Sequence, residues 1–179
     1  MPAARETLLE AAGAALSARP WPSVRMVDVA AAAGVSRQTL YNEFGGKGGL
    51  GRALIRREGE WYLDGVERAL STPAPTSQRL AAVAEWTVRA ARAHPLVRAL
   101  LTGFWDPGLP AAGRAPGPGE LARAVRDRAA AALMPAQDAQ RCELAVRLAL
   151  SYVVAPGEEP GAGELLRLLS AQNRTAAAR

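Results

Sequence analysis

A short stretch near the N-terminus concentrates side chains that can donate and accept hydrogen bonds. These side chains are Ser36, Arg37, Gln38, Thr39, Tyr41 and Asn42. Arginine matches the edge of guanine, and glutamine and asparagine match the edge of adenine, each through two hydrogen bonds. Hydroxyl groups suit phosphate oxygens, and Lys47 follows as a point charge for another phosphate. Arg25, which precedes the cluster, completes this candidate set for contacting double-stranded DNA.

Two short helices joined by a tight turn would position these side chains. Apolar residues at helical spacing predict a first helix over about 26–33, and Gly34 can adopt the left-handed conformation that ends it. Ser36 is a good N-cap for a second helix over about 37–44. The spacing of Ala30, then Gly34 four positions later and Leu40 six positions after that, is typical of a helix-turn-helix. The side chains expected to face inward around the second helix are Val35, Leu40 and Phe44.

The same stretch resembles the DNA-binding signature of the tetracycline-repressor (TetR) family of bacterial regulators. The matching residues are Val29-Ala30, Ala33-Gly34-Val35-Ser36, Leu40-Tyr41, Phe44, Lys47 and Leu50, and upstream Leu8, Leu9, Ala12 and Leu16. The resemblance covers about residues 5–51, and the rest of the chain agrees only in length and helical character. It implies a repressor that binds a palindromic operator as a homodimer and that leaves it when a small-molecule effector binds.

The sequence departs from the family pattern on both sides of the motif. Val24 and Arg25 stand where the family usually has threonine. Glycines at 45, 46, 48 and 49 surround Lys47, so the cap and the acidic first turn of the next helix are missing. We therefore expect a loose joint after the recognition helix.

Composition bounds the class of protein. The chain has 179 residues, a net charge of +5 and a sequence pI of about 10.3, which favours a polyanionic partner. Cys142 is the one cysteine, so no internal disulfide can form, and a cytosolic, cytoplasmic setting is expected. No signal peptide and no apolar run of membrane-spanning length are visible. We expect His94, which precedes a proline, to end a helix, and we expect no metal, no cofactor and no enzyme activity.

The pattern predicts an all-α protein of about nine helices. Residues 1–46 are expected to form the DNA-binding domain, and residues 47–179 a helical domain for effector binding and dimerisation. The other predicted helices cover about 3–18, 47–70, 78–93, 96–104, 120–134, 136–154 and 164–173, with a loop over 106–119. We expect Thr76 or Ser77 to cap the fifth helix and Trp21 to pack over the small domain.

Two further sets of residues are assigned roles. The aromatic set, for which core packing is the default, is assigned by the family resemblance. The apolar set is assigned because the eighth predicted helix is apolar on more sides than the core of one protomer can cover, and the family resemblance agrees. Aromatic residues on the middle helices are candidates for an effector pocket: Trp61, Tyr62, Trp86, Phe104 and Trp105. Apolar residues of the last two helices are candidates for the dimer interface: Leu144, Leu148, Tyr152, Leu165 and Leu169.

Two other classes of function remain as alternatives. A non-specific or architectural DNA-binding protein would spread basic charge over the chain. The first sixty residues hold eight basic and six acidic side chains, so the positive charge is not concentrated there. The polar side chains that could read bases do cluster at one place, which favours sequence-specific binding. A small helical enzyme would need a base, a nucleophile or a metal cluster, and the single histidine and single cysteine argue against it.

Overall fold

The computed structural model describes residues 2–134 and 137–155, and within these ranges the only regular elements are helices. They are α1 (Pro2–Ala18), α2 (Met26–Ala32), α3 (Arg37–Phe44), α4 (Lys47–Ser71), α5 (Thr76–Ala93), α6 (Pro95–Thr102), α7 (Pro118–Ala132) and α8 (Gln137–Val154), with a 3-10 turn at Trp21–Ser23. The all-α prediction is confirmed. The ninth predicted helix, over about 164–173, lies outside the described residues.

The chain divides into two compact units. The first, here called the head, comprises Met1–Glu58 and Phe104–Ala115, and the second, here called the bundle, comprises Gly59–Gly103 and the described residues from Pro116 onward. Helix α4 contributes its first half to the head and its second half to the bundle. The segment Phe104–Ala115, here called the strap, belongs to the head although it lies between α6 and α7 in sequence.

The core of the head is formed by apolar faces of α1 to α4. Its buried side chains include Leu8, Leu9, Ala12, Val29, Ala30, Leu40, Phe44, Leu50 and Leu54. Gly34 has a φ of +66°, and the amide of Val35 donates to the carbonyl of Ala30, which closes the turn between α2 and α3. Ser36 then caps α3 by accepting a hydrogen bond from the amide of Thr39 at 3.0 Å. The predicted helix-turn-helix is confirmed in these details, although Val35 is only half-buried.

Trp21 holds the strap to the head. Its side chain is buried, as predicted, and its amide donates to the carbonyl of Gly108 at 2.7 Å. Pro110 and the same indole both border Gly51, where an added Cβ would lie 2.9 Å from Cβ of Pro110 and 3.3 Å from Cζ2 of Trp21. Within the strap, Nε1 of Trp105 donates to the carbonyl of Pro110 at 2.6 Å. The predicted loop is therefore folded against the head by specific contacts.

The bundle packs α5 against α8, with α6 and α7 beside them. Its buried side chains include Tyr62, Val66, Leu80, Val83, Leu100, Leu121, Val125, Cys142 and Val146. At its centre the hydroxyl of Thr87 donates to the carbonyl of Val83, so the phenol of Tyr62 donates to Thr87 at 3.0 Å. Burial raises the pKa of Tyr62 well above its usual value.

Prolines explain the wrong helix starts in the bundle. α5 begins at Thr76, two residues early, and no side chain caps it; the carbonyl of Pro75 instead accepts from the amides of Gln78 and Arg79. α6 and α7 begin at Pro95 and Pro118, because the first turn needs no amide donor and proline presets φ for it.

Two C-terminal ends in the bundle also differ from the prediction. α6 ends at Thr102 because Gly103 turns to a φ of +76°, so Phe104 lies outside the helix. α7 ends at Ala132 rather than Met134, because Leu133 is extended. His94 separates α5 from α6, as expected, and its amide donates to the carbonyl of Ala90.

A helix that spans a lipid bilayer must be both long and apolar along its length. None of the helices in the described ranges combines these two properties.

Candidate nucleic-acid interface

Helix α3 has one buried side and one polar side. Leu40 is fully buried and Phe44 nearly so, and they fix the helix on the head. The exposed residues of the polar side are Arg37, Gln38, Tyr41 and Asn42. A helix anchored by one face presents the opposite face as a unit, which is what insertion into the major groove requires.

Gln38 and Asn42 form a pair on this polar side. They are one turn apart, and Nε2 of Gln38 donates to Oδ1 of Asn42 at 2.8 Å. The bond leaves the carbonyl oxygen of Gln38 as an acceptor and the amide nitrogen of Asn42 as a donor. An acceptor next to a donor is the complement of the N6 amine and N7 of adenine.

The hydroxyl groups at the start of α3 are engaged with each other. Oγ of Ser36 and Oγ1 of Thr39 are 2.9 Å apart, and the same Ser36 oxygen accepts from the Thr39 amide. The guanidinium of Arg37 lies 5.9 Å from the ring centroid of Tyr41, which is 40% exposed. These contacts limit the rotamers of four candidate contact residues before any partner is present.

Arg25 is held by an acidic neighbour. Its Nε and Nη2 donate to the two carboxylate oxygens of Asp28 at 3.1 and 3.2 Å, in the forked geometry that arginine favours. The hydrogen bond with Asp28, and then its charge, raise the pKa of Arg25. Arg19 approaches the same carboxylate at 3.6 Å. Arg25 is therefore a cation that shares one carboxylate with Arg19, rather than an isolated charge.

Lys47 is anchored in the head by two contacts that no sequence pattern predicts. Its Nζ donates to the carbonyl of Pro22 at 2.9 Å and lies 5.7 Å from the ring centroid of Trp21. Pro22 is 25 positions away in sequence, so no local spacing signals the contact. Because an ammonium group has three donors, Lys47 keeps donors for a phosphate while its position is fixed.

Glycines join α3 to α4 at close quarters. Gly45 and Gly46 have φ values of +69° and +150°, and Gly45 ends α3 in the left-handed conformation. A Cβ on Gly49 would collide with the backbone carbonyl of Phe44. Gly49 is thus needed because no side chain fits there. The sequence pattern indicates flexibility at all four glycines and does not predict this role. The expected loose joint remains a prediction.

The candidate pocket aromatics are divided between the two units. In the bundle, Trp61 contacts Trp86 and His94 with tilted rings whose centroids lie 4.8 and 4.0 Å from its own, and Nε1 of Trp86 donates to the carbonyl of Tyr62. Trp86 also borders a groove of about 330 Å³ lined by Gly65, Arg68, Thr72, Ala82, Glu85 and Arg89. Phe104 and Trp105 belong to the strap, and Phe104 is 72% exposed.

The candidate dimer residues share one face of α8 where they are described. Leu144, Leu148 and Tyr152 are spaced by four, Leu144 is 51% exposed, and the other two are half-buried. Leu165 and Leu169 lie outside the described residues. Cys142, on the opposite face, is fully buried, and burial raises the pKa of its thiol to about 12.

Acidic, histidine and cysteine side chains are the usual protein ligands of metal ions. In residues 2–134 and 137–155, no three of them come together in a way that could hold a metal ion.

Comparisons with known proteins agree with this geometry. The model of the N-terminal part of bacterial regulatory proteins of the tetR family matches residues 8–54, which include α2, α3 and the start of α4. The chain is 34% identical, over 93% of its own length and 83% of the relative's, to the HTH-type transcriptional regulator AlkX of Mycobacterium tuberculosis strain ATCC 25618 / H37Rv.

Solved structures share the fold at lower identity. The TetR family repressor AlkX from Dietzia sp. strain DQ12-45-1b matches with a TM-score of 0.52 and 24% identity, covering 96% of this chain and 94% of that one. A tetR-family transcriptional regulator from Streptomyces coelicolor matches with a TM-score of 0.61 and 22% identity, covering 99% and 83%. With its helix-turn-helix and a relative similar over nearly the whole length, the chain belongs to the TetR family and is a DNA-binding transcriptional regulator.

Proposed function

We propose that the protein is a repressor that binds a palindromic operator as a homodimer and is released by a small-molecule effector. The observation that carries the proposal is the exposed Gln38–Asn42 pair on a helix whose other face is buried. In this proposal residues 1–46 form the DNA-binding domain, Lys47 adds a phosphate contact at its border, and residues 47–179 form the domain that binds the effector and the second subunit. The protein would act on DNA in the cytoplasm.

Base reading and phosphate binding are assigned to different residues. Gln38, Asn42 and Arg37 read base edges, because their groups are exposed on the polar side of α3. Lys47 and Tyr41 bind phosphates, which fixes the register of the helix in the groove without selecting a sequence. Ser36, Thr39 and Arg25 support the same backbone contacts at the starts of α3 and α2.

Dimerisation is assigned to the exposed face of α8. Leu144, Leu148 and Tyr152 form an apolar stripe, and a two-fold interface would pair this stripe with its own copy. Leu165 and Leu169 would extend the interface. Two heads on one dimer would place two recognition helices in successive major grooves, about 34–36 Å apart.

Effector binding is assigned to the aromatic cluster of the bundle. Trp61, Tyr62 and Trp86 are in contact there. Phe104 and Trp105, which belong to the head, are candidates by the family resemblance alone. The AlkX repressor of Dietzia is implicated in biodegradation of n-alkanes, which supports an apolar effector for this relative of AlkX. An effector can release DNA only if it binds the two states of the repressor with different affinity.

Footprinting on a duplex selected from a random pool tests the proposal. We expect two protected half-sites with centres one helical turn apart, and loss of protection when an n-alkane or an oxidised derivative is added. A control duplex of scrambled sequence should need much more protein. Uniform protection of both duplexes, with steep salt dependence, would favour the non-specific DNA-binding alternative.

A further inference from the structure

The strap carries a cation to the start of α4. Gly113 of the strap lies beside Arg52 of α4, because a Cβ on Gly113 would be 3.9 Å from Cδ of Arg52. Arg114 is the next residue of the strap and is exposed, as is Arg52. The hydrogen bond from Trp21 to Gly108 and the close approach of Pro110 to Gly51 hold this part of the chain on the head.

Arg52 reaches back toward the recognition helix. Its Nη1 lies 3.5 Å from the Cβ position of Gly48, in the first turn of α4, although Arg52 is a full turn later. Side chains on a helix point toward its N-terminus, which explains the direction. The guanidinium thus lies beside Gly48 in the first turn of α4.

The local field at this position favours an anion. The first turn of α4 contains no acidic residue, so the positive end of the helix dipole is not neutralised from within the helix. Four other arginines of the head have carboxylate partners: Arg5 pairs with Glu43, Arg57 with Glu6, and Arg19 and Arg25 share Asp28. Within the described part of the chain, neither Arg52 nor Arg114 forms such an ion pair.

We propose that Arg52 and Arg114 bind the DNA backbone beyond the bases read by α3, which makes the strap part of the DNA-binding surface. The inference rests on the proposed function, because it places the duplex against α3 and the start of α4. It assigns to the strap a contact that the helix-turn-helix motif does not contain. The ligand chemistry is a phosphate diester of duplex DNA, which two guanidinium groups can bind in forked geometry.

The salt dependence of binding tests the inference. The slope of log Kobs against log salt is negative, and removing one phosphate contact should reduce its magnitude by about 0.9 and weaken binding about eightfold at 0.1 M salt. We expect this change for Arg52→Gln and for Arg114→Gln in the full chain, on specific and scrambled duplexes alike. Arg114→Lys, which keeps the charge, should restore the slope. Arg123→Gln, an exposed arginine of α7 in the bundle, is the matched control and should leave it unchanged.

Duplex length gives a second readout. Trimming the base pairs that flank the selected half-sites should weaken the wild-type protein but not the double variant Arg52→Gln/Arg114→Gln. If both single variants keep the wild-type slope and the double variant keeps the flank dependence, the inference is wrong. The slope can be measured on any duplex, so an unchanged slope contradicts only this inference. A failure of the proposed function would instead appear as a wild-type protein with no preference for the selected sequence.

Discussion

Helix α4 runs through both units, and its glycines show how differently the head and the bundle constrain the sequence. In the head, Gly49 faces the backbone carbonyl of Phe44, which cannot move without displacing the end of α3. In the bundle, Gly65 faces the indole of Trp86, a side chain that can change its rotamer at a cost. At the α3–α4 joint a side chain is thus excluded by a backbone contact, whereas on α4 in the bundle it is excluded by a side chain that can repack.

The largest expected effect on operator affinity comes from breaking the dimer, which would separate its two heads. Leu144→Glu places a charge on the exposed stripe of α8, where a two-fold interface would meet it twice. We expect monomers in sedimentation and a loss of about 10²–10⁴-fold in operator affinity, because the two half-sites are no longer linked. Gln78→Glu, at an exposed position of α5, is the control. A Leu144→Glu protein that stays dimeric would remove this face from the interface.

The joint after α3 should tolerate no side chain at one glycine. Gly49→Ala forces the backbone apart, so we expect destabilisation beyond the about 1–3 kcal/mol typical of overpacked side chains, with loss of DNA binding. Gly48→Ala is the control: its Cβ would meet Arg52 at 3.5 Å, an ordinary contact. Urea unfolding and DNA titration measure both variants. Equal behaviour of the two would mean that the α3–α4 joint is not held as described.

The matching pair in the bundle should show a smaller difference. Gly65→Ala overlaps the indole of Trp86 and should cost about 1–3 kcal/mol of unfolding free energy. Gly59→Ala, on the same helix, meets Leu100 at 3.5 Å and should stabilise by about 0.5–1 kcal/mol through the lower chain entropy of alanine. Tryptophan fluorescence follows the displaced indole. A stabilised Gly65→Ala protein would contradict the packing of Trp86 against α4.

Alkaline pH should weaken the bundle through Cys142. Its pKa is raised to about 12 in the folded protein, so between pH 9 and that value the unfolded thiol loses its proton while the folded thiol keeps it. The unfolded state then binds fewer protons, and stability falls by about 1.4 kcal/mol per pH unit from this group. Tyr62 acts in the same direction above its ordinary pKa. Cys142→Ala should flatten the decline measured by urea unfolding between pH 9 and 10.5; an unchanged decline would exclude the thiol as its source.

The parts of the head that could be predicted are those that rest on local signals. Gly34 and Ser36 each act on residues within one turn, and the buried Leu40 follows at a fixed spacing, so local signals predict the helix-turn-helix. The strap could not be assigned to the head, because the bond from Trp21 to Gly108 joins distant residues and leaves no periodic signal. The anchoring of Lys47 by Pro22 could not be predicted for the same reason.

The bundle was predictable as helices but not as a site. Apolar periodicity located α5, α7 and α8. It did not locate the starts of α6 and α7, because periodicity does not tell whether a proline begins a helix or precedes it. Which aromatic residues meet, such as Trp61 with Trp86 and His94, follows from tertiary packing. Family resemblance selected aromatics from both units, because it transfers positions along the chain and not contacts.

Selection of preferred duplexes from a random pool, repeated with variants of the recognition helix, tests the central claim most directly. The wild-type protein should select a palindrome, and Gln38→Ala and Asn42→Ala should each bind it about 1–3 kcal/mol more weakly and relax the preference at the bases they contact. Lys47→Gln should weaken binding to all sequences while the selected palindrome stays the same. If Gln38→Ala and Asn42→Ala both select the wild-type palindrome with undiminished preference at every base, the polar side of α3 does not read the operator.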